Sequence, residues 1–208
     1  MATIYALQNI YGKYDELMEA LTFIDLENGL NRAVFLGNYM TKGPKSAAVL
    51  YELKRLEETY PEQTAVLPGE TEQFFLTWLS GKLDHWDWLS LDNFLLATRS
   101  FFQERTFDEL TNRMIREKLT GSDLYEQYRH FILENHPDLL LWLYRKTDAI
   151  EKPAWKKPFQ DAVSFLLNVE ADEFALVKYD TETAVYSSIT INMDGSFTEH
   201  IAPKTPKA

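Results

Sequence analysis

Three short apolar runs, each closed by a turn and followed by a helical pattern, constrain this chain more than any other feature. Thr3 to Leu7 reads as a first strand, Ala33 to Leu36 as a second and Thr64 to Leu67 as a third. Tyr14, Leu17, Met18 and Leu21 recur at i, i+3, i+4 and i+7, one face of an amphipathic helix. Pro44 suits the first turn of the next helix, whose Val49, Leu50, Leu53 and Leu56 face inward. A third helix begins near Glu70. This βαβαβ order implies parallel strands joined by right-handed crossovers. Open parallel sheets place ligand sites in the loops at the carboxyl ends of their strands.

Those loops read Gln8-Asn9-Ile10-Tyr11-Gly12, Gly37-Asn38-Tyr39-Met40-Thr41-Lys42-Gly43 and Gly69-Glu70-Thr71-Glu72. Beyond them, from about residue 71 to 145, the pattern is mainly helical. Phe74, Phe75, Trp78 and Leu79 make one apolar stripe, and Leu139 to Leu143 another. Gly121-Ser122-Asp123 reads as a helix break with a following cap. Ala162 to Val169, Phe174 to Tyr179, Ala184 to Asn192 and Phe197 to Ile201 return to strand character, with a hairpin turn at Asp194-Gly195. One domain over residues 1–202 and a frayed tail over 203–208 are expected.

Composition removes several function classes. A formal net charge of -11 argues against a nucleic-acid groove, which needs clustered Lys and Arg. The basic cluster from Lys152 to Lys157 reads as a solvated loop. No apolar run approaches the roughly 20 residues that cross a bilayer, and the first residues lack the pattern of a secretion signal. The chain has no cysteine, which excludes disulfides and cysteine nucleophiles. The expected location is cytoplasmic.

The three turns resemble the calcineurin-like metallophosphoesterases, including the bacterial and phage serine/threonine phosphatases. That family carries Gly-Asp-x-His-Gly, Gly-Asp-x-x-Asp-Arg-Gly and Gly-Asn-His-Glu at similar intervals. Asp180-Thr181-Glu182-Thr183-Ala184-Val185-Tyr186 is similar to a segment near the end of the bacterial enzymes, with Ser187-Ser188 where that pattern has two glycines. The resemblance implies an α/β sandwich of the metallophosphoesterase kind with a helical middle segment and a carboxyl-terminal β meander. It also implies a site. Asn9 and Tyr11 stand where the family has a metal-binding aspartate and histidine, and Asn38 where an aspartate bridges two metals. Thr41 and Lys42 replace an orienting aspartate and a phosphate-clamping arginine. Glu70 and Thr71 replace a metal-binding asparagine and a proton-donating histidine.

The replacements remove the chemistry. Hard divalent cations need several anionic or strongly polar oxygens, and among the matched positions only Glu70 is anionic. None of His85, His130, His136 and His200 lies in the contexts where the family places its later metal ligands; each reads as solvent-facing or capping. Asn in place of Asp keeps the shape of a turn while removing repulsion between carboxylates. Other templates fail: there is no phosphate loop and no nucleophile elbow. The carboxylates of Asp84 and Asp87 read as a solvated helix face.

The expectation is therefore a catalytically inactive phosphatase-like protein, without metal or other cofactor, that binds an unknown protein partner or small ligand. It predicts no nucleic acid and no membrane as partners. One competing reading is a metal-dependent phosphoesterase with an atypical or single-metal site, using Mn²⁺ or Mg²⁺ on Glu70. Another is a purely structural subunit.

Overall fold

A computed structural model describes residues 3–82, 91–118, 121–148, 175–180, 185–191 and 197–202. The first strand, β1 (Thr3–Gln8), is apolar on both faces, as a strand covered from both sides must be. It pairs in parallel with β2 (Arg32–Phe35), which pairs in parallel with β3 (Thr64–Val66). On its other side β1 meets β4 (Ala175–Asp180) antiparallel, with Leu7 opposite Leu176, and β5 (Val185–Ile191) and β6 (Phe197–Ala202) continue antiparallel. The result is one mixed sheet in the order β3-β2-β1-β4-β5-β6.

This α/β architecture has the expected parallel start and the expected meander at the carboxyl end. Of the expected sandwich the described residues show one mixed sheet, which holds all six described strands. The physical reason lies in β1. Both of its edges are hydrogen-bonded, one to β2 and the other to β4, so the parallel and antiparallel strands share one ladder.

Helix α1 (Tyr14–Leu21) buries Leu17 and Ala20, while Met18, expected inward, is 38% exposed at the margin of the stripe. Helix α2 (Ser46–Thr59) buries Val49, Leu50, Leu53 and Leu56 as its spacing predicts. Pro44 falls before this helix, in the turn that Gly43 holds against the first loop. Helix α3 (Glu70–Leu79) starts at the expected place, with Gly69 as its N-cap.

The middle segment is helical: α4 (Leu91–Arg99), α5 (Glu104–Arg116), α6 (Gly121–Asn135) and α7 (Pro137–Asp148). Aromatic rings join these helices. Phe102 stacks on Phe131 at 4.1 Å between centroids, and Phe107 on Tyr128 at 4.9 Å. Trp78 and Trp142 are buried, and the Trp142 indole N–H donates to Glu57 at 2.8 Å, so these two tryptophans act as core. Leu141, in the middle of the second predicted stripe, is 50% exposed.

Several sequence expectations lie outside the described residues: the strand over 162–169, the turn at Asp194-Gly195, the basic cluster over 152–157, the Asp84–Asp87 pair with His85, and the tail. No helix among the described residues is long and apolar enough to cross a membrane.

Candidate functional site

The loops after β1 and β2 hold the backbone in its least favoured region. Asn9, Tyr11, Asn38, Thr41 and Lys42 all have positive φ, between 39° and 78°. Asparagine tolerates this conformation; tyrosine, threonine and lysine carry a Cβ that meets the carbonyl oxygen. Such residues persist only where the surroundings over-determine them. All five belong to the candidate site that the sequence predicts.

Hydrogen bonds between the loops supply the determination. The Tyr11 N–H donates to the Asn38 carbonyl at 2.8 Å and the Gly12 N–H to the Tyr39 carbonyl at 2.6 Å. In return the Gly43 N–H donates to the Tyr11 carbonyl at 2.6 Å, and Lys45 N–H to Gly12 at 3.1 Å. Glycines make the approach possible. A Cβ on Gly12 would sit 2.6 Å from the Gly43 carbonyl oxygen, and one on Gly37 would overlap the backbone of Gly69.

The third loop is tied in by Glu72, a fully buried carboxylate. One oxygen accepts from the Asn38 and Gly69 N–H groups at 3.0 and 2.9 Å. The other accepts from Tyr39 and Met40 N–H at 2.8 and 3.2 Å, and from the Thr71 hydroxyl at 2.6 Å. Burial pushes the Glu72 carboxyl above the ordinary carboxylate range, while the Thr71 hydroxyl and the N–H groups of Gly69, Tyr39 and Asn38 pull against that shift. Burial, reinforced by the neighbouring Glu72 charge, also raises the Tyr39 phenol well above its ordinary value. That phenol donates to the Leu67 carbonyl at 2.6 Å.

The remaining positions divide among contacts with one another, burial in the loops and the solvent. The Asn38 amide donates to the Asn9 side-chain oxygen at 2.9 Å, a neutral pair that needs no cation between its members. The Lys42 ammonium lies 4.2 Å from the centre of the Tyr11 ring, within cation–π range. Thr41 is buried, with its N–H on the Ser46 hydroxyl at 3.2 Å. Glu70 is exposed on the first turn of α3, while Thr71 beside it turns its hydroxyl to Glu72.

Thus the structure brings Asn9, Tyr11, Asn38, Thr41 and Lys42 into one cluster and leaves Glu70 at its outer edge. As a metal donor set the cluster fits poorly. The two amides are engaged with each other, and the one buried carboxylate accepts four backbone donors and a hydroxyl. Among the described residues no group of three or more His, Asp or Glu side chains could hold a metal ion.

Glu72 is the residue that sequence reasoning missed. A glutamate three residues after a helix N-cap is a capping signal, and Gly69-Glu70-Thr71-Glu72 contains it; its reach to a second loop has no local signature. The sequence predicts a solvent-facing or capping role for His136. It stands before α7, but its ring bridges the Tyr51 hydroxyl and the Phe101 carbonyl, each at 2.7 Å. His130 is exposed beside Glu134 at 3.0 Å, and His200 lies in β6.

No family model matches the chain, and no curated protein matches it. Solved structures do. One is a cold-active protein-tyrosine phosphatase of the psychrophile Shewanella sp., at 14% identity and a TM-score of 0.39, covering 95% of this chain and 80% of that one. A second is a 1.1 Å structure of a cold-active protein tyrosine phosphatase, at 15% identity and a TM-score of 0.39, covering 95% and 78%. A third is an I115M mutant of such an enzyme, at 14% identity and a TM-score of 0.38, covering 95% and 80%. At this identity and these TM-scores the likeness assigns no activity to this chain.

The calcineurin-like membership expected from the turns is corrected. No family model carries it, and the matched structures are tyrosine phosphatases. The glycines that suggested it have a local cause: Gly12 packs on Gly43 and Gly37 on Gly69, contacts that any close approach of these loops would require.

Proposed function

We propose that the chain is a catalytically inactive, phosphatase-like binding protein whose three loops serve as a rigid scaffold. The observation that carries this reading is the internal satisfaction of the cluster. Asn9 bonds to Asn38, and Glu72 accepts donors from both the second and third loops. Hydrolysis of a phosphate ester needs a nucleophile and a group that takes up developing charge. A cysteine thiolate is excluded by composition, and the carboxylate best placed among the loops is already a structural acceptor. Among the described residues of the three loops Glu70 alone remains, exposed and without a second described carboxylate converging on it.

Binding then belongs to surfaces outside the cluster. The helical segment offers exposed apolar side chains, Ile115 at 68% and Leu96 at 37%. A protein partner there, rather than a ligand on Tyr11 and Lys42, is the expected mode. Purified protein should hydrolyse no aryl phosphate or phosphopeptide above a metal-only blank, even with excess Mn²⁺. Metal-dependent turnover abolished by Glu70→Ala would replace this reading with the single-metal phosphoesterase. Pull-downs separate the binding surfaces. Loss of a partner on substituting Leu96 and Ile115 supports the helical face, and loss only in a Tyr11/Lys42 double variant supports the loops. Retention of every partner in both would leave a purely structural subunit.

A further inference from the structure

At the opposite end of the sheet from the three loops, a cavity of about 230 Å³ opens between the carboxyl ends of α1 and α2. We propose that it binds a small organic cation, an amine carried on an apolar body. Its wall is apolar, with Leu21, Ile24 and Leu56 among the lining side chains. Its charged lining is Asp25, Glu27 and Glu52 against the single guanidinium of Arg55, an excess of negative charge. Glu52 is itself 8% exposed, a carboxylate built into the wall and held by Arg55 at 2.5 and 3.0 Å.

The backbone adds to the same sign. Both α1 and α2 end here, neither has a basic residue in its last turn, and a helix carboxyl end carries partial negative charge. Glu27 is held in place by the Tyr60 hydroxyl at 2.6 Å and Asp25 by the Asn28 N–H at 3.2 Å. Each single bond leaves the carboxylate further lone pairs for an ammonium. Tyr60 brings to the lining an aromatic ring of the kind that attracts cations.

A bare metal ion is the wrong occupant, because among the described residues no three of these groups converge as metal ligands. Size limits the organic ligand: drug-sized sites start at roughly 300 Å³, so this one suits a smaller amine. The inference does not rest on the reading of the loops, which lie at the other ends of the strands.

Phenethylamine, 2-phenylethanol and phenylacetate share a ring and differ in charge, so they make the test. Titrated into the full chain and followed by amide chemical shifts, the amine should bind saturably, with shifts centred on Leu21 and Leu56. The alcohol should bind about tenfold more weakly, the equivalent of ~1.4 kcal/mol, and the carboxylate not at all. An Asp25→Asn/Glu27→Gln variant should lose the amine preference while keeping the weak alcohol binding. Equal affinity for amine and alcohol would reduce the site to an apolar hollow and overturn the proposal. So would shifts scattered over the acidic surface and abolished by moderate salt. If the double variant fails to fold, the ranking of the three probes on the unmodified chain still decides.

Discussion

Replacing Glu72 by glutamine swaps one carboxylate oxygen for a group that only donates. Two N–H groups then lose their acceptor inside the protein, either those of Gly69 and Asn38 or those of Tyr39 and Met40. The expected cost is about 3 kcal/mol, the upper range for a buried hydrogen bond to a charged group, read from urea unfolding. Asn38→Asp tests the neighbouring pair from the other side. A carboxylate would face the Asn9 oxygen without a proton to offer, for a loss of about 1–3 kcal/mol. If Mn²⁺ restored the unfolding midpoint of that variant, the loops would hold a latent metal site after all.

Among the elements, the loops depend on close backbone packing, so Gly37→Ala should be more damaging than any side-chain change in the cluster. It places a Cβ against the Gly69 backbone at a φ of 94° and should cost about 4 kcal/mol or more. Thermal unfolding would show whether the variant folds at all. His136 tests a different junction, since it links Tyr51 on α2 to the end of the turn after α4. His136→Phe leaves the Phe101 carbonyl and the Tyr51 hydroxyl without their shared partner. It should cost about 1–2 kcal/mol by denaturant titration.

These two junctions mark the limit of what the sequence makes legible. Ile4 to Leu7 and the Val49–Leu56 stripe were legible because local spacing decides whether a face is buried. Asn9, Tyr11, Asn38, Thr41 and Lys42 were legible as a set through their turns. Their family was not, because a glycine required by backbone contact looks the same as one inherited with a catalytic motif. Glu72 escaped because its partners Asn38 and Tyr39 lie 34 and 33 residues earlier and are backbone groups without identity. The pairing of β1 with β4 escaped for the same reason: an apolar strand does not announce which edge it will take.

Taken as a whole, the molecule should fold without a divalent ion. A chelator should leave its thermal midpoint unchanged, whereas a cation bound only to the native state would raise that midpoint by linkage. A fall of several degrees on adding chelator would contradict the donor-set argument.

The place of β1 in the sheet has a consequence for synthesis. Its β2 partner emerges from the ribosome almost at once, but the other edge stays open until Ala175–Asp180 has been translated. Between the synthesis of Arg32–Phe35 and that of Ala175–Asp180, the backbone of Thr3–Gln8 offers unpaired N–H and C=O groups beside buried-type side chains. An open apolar edge is a template for another strand. A chain stopped before Ala175 should therefore recruit a second copy of itself and sediment with the insoluble fraction, while a chain that carries β4, β5 and β6 stays dispersed.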